Sequence, residues 1–171
     1  MRVAGGRHPV LAPLLQFARR NGEGGGPARE AQLTACLFCG ILRREVSASF
    51  VYDDERIAAF LDLYPIHPGH TLVVPKLHAT DLLDCPAETV GRLLAVSREL
   101  APAVVAATGA AGFNVWTATG AAAGQEVFHL HLHLLPRFAD DTFGLRFPTG
   151  YPAEASRADL DVMAERISAR L

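Results

Sequence analysis

Cysteine is scarce in this chain and comes in an odd number, three in 171 residues. That fits a reducing cytosol better than a disulfide scaffold. A strong excess of charge of one sign is missing too. The net formal charge is −2 and no basic run is interleaved with aromatics, so a nucleic-acid-binding surface is not expected. No apolar run approaches the roughly 20 residues needed to cross a bilayer. Leu33-Thr34-Ala35-Cys36 has the look of a lipoprotein cleavage site. The Gly22–Glu30 stretch before it is Gly-rich and polar, however, and cannot serve as the apolar region of a signal peptide. Neither export nor a membrane is expected, and the location read from the sequence is cytoplasmic. There is one tryptophan, Trp116, for which core packing is the default. No internal repeat is evident. Half of the residues are apolar, and the length suffices for one domain with a substantial core.

Against these absences stands a concentration of histidine. Phe128-His129-Leu130-His131-Leu132-His133-Leu134-Leu135 alternates histidine with leucine. A period of two predicts a β-strand, with three imidazoles on one face and leucines on the other for a core. A helix would scatter them. Neighbouring imidazoles on a strand face lie roughly 6.5 Å apart and the outer two roughly 13 Å. One zinc ion, which holds imidazole nitrogen at about 2.0–2.1 Å, cannot take all three without severe bending. The three are therefore expected to divide their labour, one serving a metal and another acting as nucleophile or acid–base. With an ordinary pKa of about 6.5, an imidazole is substantially neutral at pH 7 and attacks phosphorus without a separate strong base. The loop Gly120–Gln125 before the strand reads either as an anion cradle of backbone N–H groups or as a plain hairpin turn. Arg137, after the strand, is open as a solvated charge or an anion contact.

Cys36 and Cys39 form a Cys-x-x-Cys pair spaced for two ligands of tetrahedral zinc. A thioredoxin-like redox motif would need a following helix in a βαβ setting. Here Arg43-Arg44-Glu45-Val46 leads quickly into a strand-like segment. Unmetallated thiols are the bland alternative. Cys85, before Pro86, has no partner in sequence and reads as a small buried residue.

Read together, these features resemble the histidine-triad (HIT) family, whose signature stands here as His129-Leu130-His131-Leu132-His133-Leu134-Leu135. Further segments follow in that family's order: Cys36–Ile41, Val51–Asp54, Ala59–Leu63, Pro68–His78, Gly112–Asn114 and Gly124-Gln125. The likeness covers roughly residues 34–171, and 1–33 fall outside it as a flexible N-terminal extension with a short helix pattern interrupted by Pro13. The resemblance implies that His131 is the nucleophile on the α-phosphorus of an AMP-like purine nucleotide, giving a nucleotidyl-imidazole that water cleaves. It implies that His133 contacts the phosphate, that His70 lies near it, and that His129 completes the catalytic set. Asp62 would grip the ribose hydroxyls, Leu63 would lie against the nucleoside, and Gly124, Gln125 and Glu126 would surround the phosphates. Cys36, Cys39, His78 and His129 would hold a structural zinc, with no catalytic metal required. The implied assembly is a homodimer, for which Trp116 and the Phe143–Tyr151 tail are candidate contacts. Two positions depart from the family pattern. Ala118 stands where many members have Asn, and Glu126 where the best-studied branch has a hydroxyl residue.

The order of elements argues for an α+β domain, a HIT-like fold with a mainly antiparallel sheet, a long helix and a C-terminal helix. Strands are expected at Phe50–Tyr52 and Ile57–Leu61 around the Asp53-Asp54-Glu55 turn, at Thr71–Pro75, and at Phe113–Thr117 beside the histidine strand. A helix starting near Asp84–Pro86 should be kinked or divided by Pro102. A last helix is expected after a Ser156–Asp159 capping box, with Leu160, Ala164, Ile167 and Leu171 on one face. The leading functional expectation is a nucleotidyl hydrolase acting on purine nucleoside phosphoramidates or related AMP-linked nucleotides. Its alternatives are a metallohydrolase, a dinucleoside polyphosphate hydrolase, and a zinc-stapled nucleotide-binding protein with little turnover.

Overall fold

The computed structural model describes residues 36–144, 147 and 149–171. The N-terminal extension and its helix pattern lie outside these residues. Two compact units divide the chain, the first ending at Asp141 and the second running Thr142–Leu171.

In the first unit a short helix α1 (Leu37–Leu42) precedes strands β1 (Phe50–Asp53), β2 (Ile57–Leu61) and β3 (Thr71–Pro75). Then come a long helix α2 (Ala87–Thr108) and strands β4 (Gly112–Trp116) and β5 (Leu132–Arg137), with one turn of 3₁₀-helix at Ala121–Ala123 between them. The strands make one sheet in the order β1-β2-β3-β5-β4, and each of its four neighbouring pairs is antiparallel. The expected hairpin is there. Asp54 Oδ1 accepts from the N–H groups of Arg56 and Ile57 at 2.8 and 2.7 Å, which closes the turn between β1 and β2.

Both faces of the sheet are covered, and β2 shows why its residues run apolar without a break. Ile57 and Ala59 join Val73, Leu93, Val96, Leu130 and Leu132 in one cluster beneath α2. Ala58 and Phe60 join Leu72, Val74 and, from α1, Phe38 and Ile41 on the other face. Period-two alternation thus feeds two cores rather than a core and a solvent face. Each large side chain taken fully from water in this way contributes about 1.5–3 kcal/mol.

Helix α2 is continuous through Pro102, so of the expected kink or division the division does not occur. Proline deprives the Arg98 carbonyl of its helical donor. Arg98 and Pro102 are both exposed, which leaves that carbonyl on the solvent side of the helix. The opposite stripe, Thr89, Leu93, Val96, Ser97 and Ala101, is buried at helical spacing. Cys85 is buried in the cluster beneath α2.

The histidine strand also needs correction. It was expected over 128–135, whereas β5 begins only at Leu132 and continues through Pro136 to Arg137. Its ladder with β3 spans Leu132, His133 and Leu134, opposite Val73, Leu72 and Thr71. Upstream, the N–H of Leu130 turns instead to Ala79 O at 2.7 Å, and His129 Nε2 to Pro75 O at 2.9 Å. Those two bonds pull His129 and Leu130 out of the ladder. Pro136 is tolerated because it falls past the end of the pairing with β3.

In the second unit, helix α3 (Arg157–Ser168) starts as expected: Ser156 Oγ accepts from Asp159 N–H at 3.1 Å. Leu171 lies beyond its end. Phe147 and Tyr151 stack at 4.2 Å within this unit. Among the described residues, no helix is long and apolar enough to cross a membrane.

Candidate active site and metal centre

All the singled-out histidines of the first unit gather on the sheet face that also carries α1, and they form two groups. The first contains Cys36, Cys39, His78 and His129, whose ligand atoms all lie within 4.8 Å of one another. Cys36 is the N-cap of α1, with its Sγ accepting from Cys39 N–H. The strand-like segment expected after Arg43–Val46 is β1, but the cysteine pair itself opens a helix of six residues, and its first turn folds both thiols to one side. His129 Nδ1 lies 3.5 and 3.6 Å from the two sulfurs, and His78 Nδ1 lies 3.3 Å from Cys39 Sγ. A zinc tetrahedron with bonds of about 2.3 Å to sulfur and 2.0–2.1 Å to nitrogen has N–S edges of roughly 3.5 Å. The donor set and its spacing therefore fit that ion. Hydrogen bonding from Cys39 holds the Cys36 thiol far below its ordinary range, and Cys39 in turn is pushed up by donating to Cys36. The tautomer of His129 is set for ligation. Its Nε2 faces the carbonyl of Pro75, which only accepts, so the proton sits there and Nδ1 keeps its lone pair for the sulfur side.

The second group is His131, His133, His70 and Asp62. His131 Nδ1 lies 2.7 Å from the carbonyl oxygen of His129. Again the carbonyl only accepts, so Nδ1 carries the proton and the lone pair is on Nε2, which has no hydrogen-bond partner among the described residues. Burial, the largest influence, holds His131 below the ordinary imidazole value and keeps it neutral at pH 7. Phe38 fixes this ring from the α1 side, edge-on at 5.2 Å, and touches His129 at 5.8 Å as well. His133 lies beside His131 with ring centroids 4.8 Å apart. Its Nδ1 meets His70 Nε2 at 3.0 Å, and His70 Nδ1 stands 3.3 Å from Asp62 Oδ2. Burial pushes His133 down to about 3, with the neighbouring histidines adding to the effect. His70, 2 % exposed, is lowered by burial against the opposing pull of Asp62. Asp62, His70 and His133 thus stand in file. His70 Nδ1 also accepts from Ile66 N–H at 3.4 Å, so the His70 proton sits on Nε2 and is donated to His133 Nδ1, and neutral His133 carries its own proton on Nε2. Glycine at 69 makes this turn possible: its φ is +87°, and a Cβ there would meet Thr108 Cγ2 at 2.5 Å.

Other expected residues fall around these groups. Asp62 Oδ1 accepts from Tyr64 N–H at 3.0 Å, and Leu63 beside it is 77 % exposed. The small-residue loop has Gly120 and Gly124 at positive φ. Gln125 is buried and spent on that loop. Its Oε1 accepts from Gly120 N–H at 2.8 Å, and its Nε2 donates to Thr80 O and Val127 O at 2.6 and 3.2 Å. Glu126 is exposed. Arg137 is neither solvated charge nor anion contact: it pairs with Asp141 at 2.6 Å and with Asn114. Sequence reasoning missed Phe38, Trp116 and the inward use of Gln125. For Trp116 the signal was available, since it stands opposite His133 once β4 and β5 are paired in register.

Comparison with known proteins gives a consistent result. The model of the HIT domain matches residues 43–140. An uncharacterized HIT-like protein of Borreliella burgdorferi is 42% identical over 113 residues, 65% of this chain and 81% of that protein. Adenylylsulfatase HINT3 of Arabidopsis thaliana is 34% identical over 135 residues, 77% of this chain and 68% of that protein. Among solved structures, a zinc-bound histidine triad family protein from Mycobacterium smegmatis matches at 36% identity with a TM-score of 0.63, covering 80% of this chain and 98% of that one.

Proposed function

The chain belongs to the HIT domain family, and from that premise we propose that it is a nucleotidyl hydrolase working through a covalent histidine intermediate. The observation that carries the reading is the bond from His131 Nδ1–H to His129 O, which leaves a neutral imidazole with its Nε2 lone pair open. His131 Nε2 attacks the α-phosphorus of an AMP-linked substrate in line. As the P–N bond forms, the bond to the amine, sulfate or phosphate leaving group breaks, and the leaving group takes the electron pair and, where its basicity demands, a proton from solvent. Water then attacks the same phosphorus and loses a proton to solvent, the P–N bond returns its electrons to Nε2, and AMP departs. Splitting one displacement into two in this way lowers each barrier. His133, with its proton on Nε2, stabilises the phosphoryl oxygens. Asp62 and Leu63 hold the ribose and base; in the loop Gly124-Gln125-Glu126 the N–H groups of Gly124 and Gln125 bond back to Ala121 O and Gly120 O at 3.1 and 3.2 Å, which leaves the Glu126 N–H for the phosphates. Gln125 shapes that loop rather than touching substrate with its amide.

Cys36, Cys39, His78 and His129 would hold zinc in a closed site. That ion stabilises the fold and supplies no activated water, since four protein ligands leave no open position. A metal of this kind fits a cytosolic protein whose thiols stay reduced. The implied homodimer is read directly from a native mass.

The test is hydrolysis of adenosine 5′-monophosphoramidate, adenylyl sulfate and a dinucleoside polyphosphate by wild type and His131→Ala, with intact-mass detection of an AMP adduct. We expect turnover and an adduct in the wild type. The variant should lose both, with a rate loss of at least about a thousandfold. A folded wild type that binds AMP but shows neither adduct nor turnover with any of the three would leave a binding protein instead.

A further inference from the structure

The proposed chemistry leaves one side chain on the histidine face unused. Trp116 stands directly across from His133 in the β4–β5 register, and partners in such a pair share a face. The indole and the His133 imidazole are parallel, at 4.6 Å and 6°. The same indole also lies against His70, the ring bonded to His133, at 6.0 Å and 24°. Trp116 belongs to neither core cluster and is only half-buried, so filling the interior does not account for it.

The stacking answers a specific mechanical need. The terminal torsion of a histidine is broad and roughly two-fold, so backbone placement alone does not aim the ring. The bond between His133 Nδ1 and His70 Nε2 selects one of the two flips. A single bond at the ring edge still lets the plane roll. A flat indole in parallel contact resists that roll, because tilting the imidazole gives up the stacked surface. Flip and plane together fix where Nε2 points.

We propose that Trp116 is a positioning residue for His133: its indole sets the imidazole plane, and so the direction from which His133 Nε2 meets the phosphoryl group on His131. Only the kinetic part rests on the reaction proposed above; the orientation of the ring stands apart from any turnover. Phenylalanine preserves a flat face at this place, and leucine does not.

The test uses the full chain, wild type with Trp116→Phe and Trp116→Leu, by NMR of the histidine rings and by steady-state kinetics. In the wild type the His133 ring protons should be shifted upfield by the indole ring current, with one ring-nitrogen tautomer pattern. Trp116→Phe should keep a single pattern and a kcat within about threefold of wild type. Trp116→Leu should lose the upfield shift, mix the patterns and drop kcat about tenfold, the order expected for a misaimed catalytic group, with KM little changed. Unshifted His133 protons in the wild type overturn the proposal, whether or not either variant folds. So does a leucine variant with wild-type kcat, or one in which KM alone moves. If the ring signals behave as expected and no substrate turns over, the reaction is wrong and the positioning role stands.

Discussion

His129 and His131 are two residues apart and both buried, yet the fold uses them in opposite senses. Each gives one ring proton to a backbone carbonyl: His129 from Nε2 to Pro75, His131 from Nδ1 to His129. That choice turns the remaining lone pair toward two thiols in one case and leaves it without a described partner in the other. Chemistry at neighbouring positions is thus assigned by which nitrogen a carbonyl claims. The metal-type group is closed by four donors, whereas the group around His131 and His133 leaves nitrogens unspent. The two groups also share a part, since the carbonyl that fixes His131 belongs to the residue that offers Nδ1 to the sulfurs.

The sharpest way to break this comparison is to remove the closed group. Cys39→Ala deletes one of the four donors and leaves the half-buried His78 imidazole without its sulfur partner. We expect a stability loss of at least about 3 kcal/mol, because metal binding in such sites is part of the folding free energy. That is a fall in Tm of about 10 °C for a chain of this size. Thermal unfolding, with zinc content measured by mass, checks it. Strong chelation of the wild type should give the same shift, while the molecules still folded keep turning over. Immediate loss of activity from a folded protein would mean that a metal takes part in the chemistry.

A smaller effect tests the open group. His131 must be neutral to attack, and burial holds its protonation below the ordinary imidazole range. kcat/KM should therefore hold as pH falls through the ordinary imidazole value near 6.5 and drop only below it. The folding stability follows the same sign. His133, lowered to about 3, binds a proton more readily unfolded than folded. Its contribution is full above the ordinary value near 6.5 and is lost as pH falls from there toward about 3. A pH–rate profile and a pH series of unfolding transitions measure the two separately. A rate that falls off with a midpoint at or above pH 6.5 would contradict the buried, neutral nucleophile.

Much of this was legible in residue order. The antiparallel hairpin, β3, the long helix and the Ser156 cap follow from period, turn residues and capping chemistry, which act within a few residues. The gathering of Cys36, Cys39, His78 and His129 rested on resemblance, because nothing local ties residue 36 to residue 129. The start of β5 was misplaced because alternation continues through His129, while the ladder ends where Leu130 and His129 bond to the Pro75–Ala79 segment. That competition is tertiary and leaves no trace in spacing. Pro102 does not divide the helix for a related reason: its cost depends on whether the orphaned carbonyl meets water. Arg137 looked like a free cation until the chain brought Asp141 and Asn114 to it.

The smallest expected effect concerns the loop that both groups border. Gln125 follows the small residues and immediately precedes the segment leading to His129, and its amide makes three bonds to backbone at Gly120, Thr80 and Val127. Gln125→Ala leaves the Gly120 N–H and the Thr80 carbonyl without that partner, at a cost of about 1–2 kcal/mol. Glutamate is a sharper probe, since it keeps the acceptor for Gly120 and removes the donor for Thr80 and Val127. If the loop serves the phosphates through its backbone, both variants should raise KM for the nucleotide and leave kcat largely intact. The closed group should still bind one zinc. If the side chain itself touched substrate, the alanine and glutamate variants would differ in kcat as well. Equal KM in all three proteins would show that the loop keeps its shape without the amide, and that its geometry is set by the positive-φ glycines at 120 and 124 alone.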